Sequence, residues 1–369
     1  MVGVFYFNTI LIYQMVDYII VGCGLAGIAF AQTALQNGKT VLVINDQSQN
    51  SSKVAAGLYN PVILKRFTEV WQAKEQIELL HEFYSNLETK LKVTLDYQLP
   101  LLRKFYSVEE QNNWFTASDK PNLSDFLSPN LITKKYEAIA SPLGFGEVLY
   151  SGFVDTNLLM QSYKSYLTTM NSYLEETFEY DQLVLHATSI QYKNQVAKQI
   201  VFAEGYGMLL NPFFSILPLE GAKGELLLIK APNLNLDVIV KTGIFIFPLG
   251  NDIYKVGATY NWDDKTNTLT ASAKEELITA LKELIQCDFE VVDHLAGIRP
   301  TVKDRRPMLG THPIHKNLHL LNGLGTRGVM LAPAMAKMLY EHLENKTELN
   351  PYVNINRFKN FASSFYRNE

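Results

Sequence analysis

The chain has 369 residues, a net charge of −4 and two cysteines, Cys23 and Cys287. That length buries a large core and predicts two domains. The mild acidity offers no basic field for nucleic acid or an anionic membrane, and two cysteines make no disulfide framework and suit a reducing cytoplasm. Met1 to Gln14 are apolar and carry no Lys or Arg. They lack the basic start of a signal peptide and fall short of the roughly 20 residues of a spanning helix. Residues 1–14 are therefore read as an N-terminal extension ahead of a natural start at Met15-Val-Asp17, and no membrane span is expected.

The β-branched run Tyr18 to Val21 predicts a strand. It ends in Gly22-x-Gly24-x-x-Gly27, and a small-residue helical pattern runs from Ile28 to Leu35. Gly22 allows the tight strand-to-helix turn, Gly24 lets the backbone approach a pyrophosphate, and Gly27 lets helix and strand pack closely. Leu25 and Ala26 open the helix, where free N–H groups and the dipole favour phosphate. The helix closes at Asn37-Gly38, and Lys39 to Ile44 reads as the second parallel strand. This is a βαβ dinucleotide site. Where an acidic residue normally accepts from the adenosine ribose stands Asn45, with Asp46 next. Asn45 accepts one bond through its amide oxygen, or Asp46 takes that place. No Arg stands nearby for a 2′-phosphate, so the site suits FAD or NAD rather than NADP.

Downstream, Thr68 to Leu91 is predicted helical, from Trp71, Ile77, Leu80, Tyr84, Leu87 and Leu91 at near-helical spacing. Leu99 to Tyr106 reads as a strand, and Lys120 to Ser141 as loop with short strands. Asp155 to Leu167 is a helix capped by Asp155 or Thr156. Val196 to Ala203 is a strand that ends in Glu204-Gly205-Tyr206-Gly207. A strand-rich block spans Lys223 to Thr259, then a helix spans Ser272 to Ile285. Leu318 to Leu321 is a strand leading through Asn322-Gly-Leu-Gly-Thr-Arg-Gly328 into a helix from Met330 to Leu343. The fold class is α/β with mixed α+β character. It is a Rossmann-like cofactor domain over 15–95, 150–212 and 290–369, with a strand-rich substrate domain over 96–149 and 213–289.

These blocks, in order, resemble the D-amino acid oxidase/glycine oxidase family of FAD-dependent oxidoreductases. The resemblance rests on the fingerprint Gly22 to Gly27, the turn Ser52 to Gly57, Ser151-Gly-Phe-Val-Asp155 and Ile200 to Gly205. It continues through Gly221-Ala-Lys-Gly-Glu225, Val256-Gly-Ala-Thr259, Gly297-Ile-Arg-Pro300 and Asp304-x-x-Pro307-x-x-Gly310. The C-terminal Leu324-Gly-Thr-Arg-Gly328 with Ala332-Pro333 is most similar to the oxidase domain of bifunctional enzymes that build methylaminomethyl-thiouridine in tRNA. No methyltransferase half is present.

The resemblance implies FAD. It places Ala55, Ala56 and Gly57 where the flavin ring passes close to the chain, and Gly205 and Gly207 at the glycine exit of the third strand. It sets Gly323, Leu324, Gly325, Thr326, Arg327 and Gly328 against the flavin's pyrimidine side, where N–H dipoles meet the charge that accumulates on reduction. Arg299 takes the place of the family's carboxylate-clamping Arg, a role that a guanidinium fork fills bidentately. The bland alternative is a structural Arg paired with Glu225 or Asp304. Phe245 stands where many members carry a Tyr, so Tyr260 or Tyr59 is left to supply a hydroxyl. Lys223 and Lys255 are candidates for a cation favouring oxygen, weighed against strand-surface lysines.

The implied reaction is oxidation of the C–N bond of an amino acid or secondary amine, with oxygen or a quinone as acceptor. Two other readings stay open: removal of a carboxymethyl group from a modified tRNA wobble uridine, and a non-catalytic, electron-carrying flavoprotein. His312, His315 and His319 suggest a metal by number, but Pro313 breaks their helix and no acid falls among them, so no metal is expected. Lys303, Arg305, Arg306 and Lys316 read as a solvated loop.

Overall fold

A computed structural model describes residues 15–358 of the chain; the expected extension, 1–14, lies outside them. Val16–Val21 sits centrally in an eight-stranded sheet. It pairs in parallel with Val41–Ile44 on one side and Gln195–Phe202 on the other. Leu318–Asn322 continues the parallel order beyond Gln195–Phe202, and Met308–Thr311 closes that edge antiparallel. Side chains alternate across the sheet. Tyr18 and Ile20 enter one core with helices Leu25–Gln36, Ala73–Leu91, Thr156–Thr169 and Gly328–Asn345. Ile19 and Val21 enter another, closed by Phe178, Phe202 and Phe214.

Helix Leu25–Gln36 lies buried along its first ten residues because its small side chains admit a close approach. A Cβ on Gly27 would stand 2.0 Å from the Gly22 carbonyl oxygen. The predicted helix from Thr68 begins later, at Ala73. Gln72 has φ of +50°, outside helical space, and Thr68–Glu69 instead pairs with Val62–Ile63. Trp71 therefore lies before the helix, and its carbonyl accepts from the Gln76 side chain at 2.6 Å. The Asp155 cap holds, since its carboxylate accepts from Leu158 N–H at 3.0 Å. Helix Val108–Ser118 is an addition to the reading. Ser107 caps it by accepting from Glu110 N–H at 3.1 Å, so the Ser-x-x-Glu start was its available signal.

The second sheet has seven strands in the order Glu290–Val302, Leu219–Lys230, Ile253–Gly257, Phe245–Gly250, Ile239–Lys241, Leu101–Lys104 and Phe145–Val148. Helix Ala271–Leu284 packs Leu277, Leu281 and Leu284 on it. Residues 290–302, expected with the cofactor domain, form the outer strand here. They run antiparallel to Leu219–Lys230 along its whole length, and that ladder outweighs their place in the chain.

Candidate active site

A cavity of about 1200 Å³ runs from the fingerprint to the seven-stranded sheet. Among the expected cofactor residues only Gly27 stays off its wall, packed beneath the turn. Gly22 has φ of +100°, and a Cβ there would stand 2.5 Å from the Ala203 carbonyl oxygen. Asn45 lines the cavity and also ties down the backbone. Its amide oxygen accepts from Cys23 N–H at 3.1 Å and its NH₂ donates to Tyr173 at 3.2 Å, which fixes the fingerprint loop to the sheet. Asp46 accepts from Ser48 N–H at 2.9 Å and from the Thr177 hydroxyl at 3.1 Å. Burial raises its pKa, but those donors outweigh it and hold the carboxyl below its ordinary range. Cys23 is buried and its thiol is pushed up to about 12, the state of a packing residue rather than a nucleophile.

The turn Ala55-Ala56-Gly57 follows a single helical turn, Ser51–Val54. Ser52 Oγ accepts from Leu25 N–H at 3.1 Å, so this turn abuts the start of the fingerprint helix. Gly57 has φ of +75°, with Val154 N–H donating to its carbonyl at 3.0 Å. On the far side, Asn322 donates to the Gly205 carbonyl at 2.8 Å and accepts from Gly323 N–H at 2.7 Å. This joins two of the expected cofactor loops. Helix Gly328–Asn345 starts two residues earlier than predicted, directly on the loop. Arg327 donates to the Asn60 carbonyl at 2.9 Å, and burial pulls its guanidinium down to about 10.

Glu204 was passed over as part of a strand exit. It is half-buried on the cavity wall, accepts from Asn211 at 2.7 Å and from Tyr180, and its low exposure to water pushes its carboxyl up to about 7. The signal was an acid directly after a core strand. Its folded pKa lies above the ordinary 4.5, so between about pH 4.5 and 7 the folded chain binds more protons than the unfolded one. Stability therefore falls as pH rises through that window. Glu204→Gln is expected to raise the thermal midpoint more at pH 8 than at pH 5, measured by circular dichroism. An equal change at both would show that Glu204 does not titrate there.

The other end of the cavity is lined by one face of the seven-stranded sheet. Arg299 lies opposite Ala222, two positions from Gly224, and its guanidinium occupies the space a side chain on Gly224 would take. Both terminal nitrogens point at the Thr259 carbonyl, at 3.3 and 3.4 Å, and the group stacks 4.3 Å over the Tyr260 ring. Neither bland partner engages it. Glu225 pairs with Lys223 and His294, and Asp304 with Arg357. Among the described residues no carboxylate forms an ion pair with Arg299, although it is largely buried and lines the cavity. An added methyl on Gly224 would sit 1.9 Å from an Arg299 terminal nitrogen. Gly224→Ala is thus expected to keep flavin content while raising KM for carboxylate-bearing amines about tenfold, the size of one charge-assisted bond. Unchanged steady-state kinetics would refute that packing.

Phe245 lines the cavity beside Arg299, its ring over Gly257 and without a hydroxyl. Tyr59 is no substitute, being buried and donating to Asp96 at 2.7 Å; Tyr260 is the phenol at the site. Lys223 is buried among Asp264, Glu225 and the Thr268 carbonyl, and is not a surface lysine. Lys255 is likewise largely covered and donates to the Ala55 carbonyl at 3.2 Å, on the flavin turn. Lys303, Arg305 and Arg306 form part of the cavity rim, with Arg306 5.2 Å over the Trp71 ring. His319 bonds Thr311 at 2.9 Å and His312 stacks on His315; among the described residues no group of three His, Cys, Asp or Glu is placed to hold a metal. No described helix is long and apolar enough to cross a membrane.

FAD fits this arrangement. Its phosphates would meet the start of the fingerprint helix at Leu25 and Ala26, and its ring would lie between the Ala55–Gly57 turn and the Gly323–Gly328 loop. Glycine oxidase of Pseudomonas putida is 31% identical over 153 residues, covering 40% of this chain and 42% of that protein. The bifunctional tRNA 5-methylaminomethyl-2-thiouridine biosynthesis protein of Azoarcus is 25% identical over 40% of this chain and 26% of its own length. The matched region thus spans about two fifths or less of these relatives. Among solved structures, glycine oxidase of Geobacillus kaustophilus superposes with a TM-score of 0.74 at 20% identity, covering 92% of this chain and 98% of that one. Iminodiacetate oxidase of Chelativorans gives 0.74 at 17%, over 91% and 98%. Both show the same fold. The family model for FAD dependent oxidoreductases of the DAO type matches residues 17–342, nearly the whole described chain, and the protein belongs to that family.

Proposed function

We propose that the protein oxidises the C–N bond of an amino acid or secondary amine bearing a carboxylate. The observation that carries this is Arg299, a half-buried guanidinium on the cavity wall that forms an ion pair with no carboxylate among the described residues. A buried charge is costly unless paired, so the site favours an anionic ligand. FAD, when bound, supplies the hydride acceptor. Arg299 fixes the substrate carboxylate, and Tyr260 and the Thr259 carbonyl fix Arg299. Phe245 gives an apolar wall that keeps water from the α-carbon. The α-carbon loses its hydrogen with both bonding electrons and the neutral amine loses a proton. Water then hydrolyses the resulting imine to a carbonyl compound and an amine. The protein needs no strong base for this, because the amine nitrogen's own electron pair drives hydride departure.

Lys255, held on the flavin turn, supports oxygen over a quinone as acceptor. The cations of the rim, Lys303, Arg305 and Arg306, support a second reading in which the carboxymethylamine is carried on tRNA. The deciding experiment is anaerobic mixing of the yellow holoprotein with amino acids, N-methyl amino acids and tRNA. Bleaching of the flavin band by free amines is expected. Bleaching only by tRNA, with a steep salt dependence, would favour the second reading. Bleaching by none would leave a binding role.

A further inference from the structure

The face of the seven-stranded sheet that carries Arg299 carries a second half-buried cation. Gly224 and Leu226 are two apart on one strand, Leu226 lies opposite Gly257, Gly257 opposite Phe245, and Phe245 opposite Lys241. Directly opposed residues share a face and residues two apart share it too. Arg299, Phe245 and Lys241 therefore point the same way, and all three line the cavity. Strand order sets Lys241 three spacings from Gly224, over which the Arg299 guanidinium lies. With the two-residue offset from Leu226 to Gly224, that is about 16 Å between backbones, less the reach of two long side chains. Phe245 fills the interval, its ring centroid 5.9 Å from the Lys241 ammonium.

Among the described residues Lys241 has no anionic partner. Its ammonium donates to the Gly243 carbonyl at 3.2 Å, and among the described residues no carboxylate forms an ion pair with it. The nearby Arg103 is itself taken by Glu110. Burial, reinforced by Arg103, lowers the Lys241 ammonium to about 8, the mark of a cation lacking its counter-charge. The cofactor phosphates do not supply one, because the fingerprint stands on the other sheet. An apolar ring between two cations describes a ligand with acids at both ends and methylenes between.

We propose that Lys241 is a second anion-binding group and that the preferred substrate is a diacid, an amine whose far end carries a second carboxylate or comparable anion. This rests on the amine-oxidation reading but deepens it to a substrate class. The test titrates the oxidised holoprotein with straight-chain α,ω-dicarboxylates from succinate to pimelate and with monocarboxylates of matched length, following the flavin absorbance. At one chain length the diacid is expected to bind about tenfold tighter or more, the size of one charge-assisted bond. Lys241→Met should bring that ratio close to one. Lys241→Arg, which keeps the charge but lengthens the reach, should preserve a preference and move it to a shorter diacid. A diacid advantage at no length, or one that survives in Lys241→Met, would overturn the proposal. Should Lys241→Met fail to hold flavin, an unmoved optimum in Lys241→Arg would overturn it equally. Flavin reduction by amines is scored separately. A protein with the diacid preference but reduced by no amine refutes amine oxidation and keeps the second site; reduction without the preference does the reverse.

Discussion

Arg299→Lys is expected to hold FAD normally and to lose about tenfold to hundredfold in the rate of flavin reduction by carboxylate-bearing amines. Lysine keeps the charge but gives up the two-pronged geometry, and a charge-assisted hydrogen bond contributes about 1.5–3 kcal/mol. At about 1.4 kcal/mol per decade, one lost bond gives that range. The packing makes the experiment selective. Arg299 touches the Thr259 carbonyl and the Tyr260 ring, so the shorter cation disturbs little beyond the carboxylate it holds. Stopped-flow reduction with an amino acid and with an amine lacking a carboxylate makes the comparison. Equal slowing of both, or loss of flavin, would make Arg299 a structural residue and remove the main support for an amino acid substrate.

Gly57→Ala should be the most damaging small change on the cofactor side. A Cβ there would stand 1.9 Å from the Val154 carbonyl oxygen, on a backbone with φ of +75°. The left-handed conformation alone costs an L-residue roughly 1–2 kcal/mol. The clash adds to that, and the opposing strand cannot retreat freely because Val154 N–H is bonded to Gly57 itself. The expected result is chain purified with less than half the flavin of the parent, read from the absorbance ratio at 450 and 280 nm, both roughly conventional flavoprotein wavelengths. Full flavin content would mean that the turn is not part of the cradle.

The cofactor half was legible because its chemistry is written locally. Gly22, Gly24 and Gly27 each answer a steric demand within a few residues, and the flanking strand and helix periods confirm it. The role of Asn45 was not legible. Its amide turns back to Cys23 and Tyr173, and the latter is 128 residues away in the chain. Arg299 was found through its motif, but its lack of a carboxylate partner depends on where Glu225 and Asp304 turn. Those side chains go to Lys223, His294 and Arg357, which no spacing rule foretells. Lys241 was invisible for a related reason. An isolated lysine two residues before a glycine reads as surface until the register sets it on the same face as Phe245.

The long outer strand Glu290–Val302 carries a lesson for anyone recasting this protein. All of it belongs to the seven-stranded sheet, yet Gly297 meets Ser51 and Val54 and the last residues, Pro300 to Val302, reach Gly205, Gly325 and Gly323. The two halves of the protein are thus not interchangeable cassettes. A graft that swaps the inserted strands of a relative but stops at residue 289 would leave Arg299 on the recipient's backbone and its neighbours on the donor's. A workable exchange must cut after Val302, and must then carry matching cofactor loops with it.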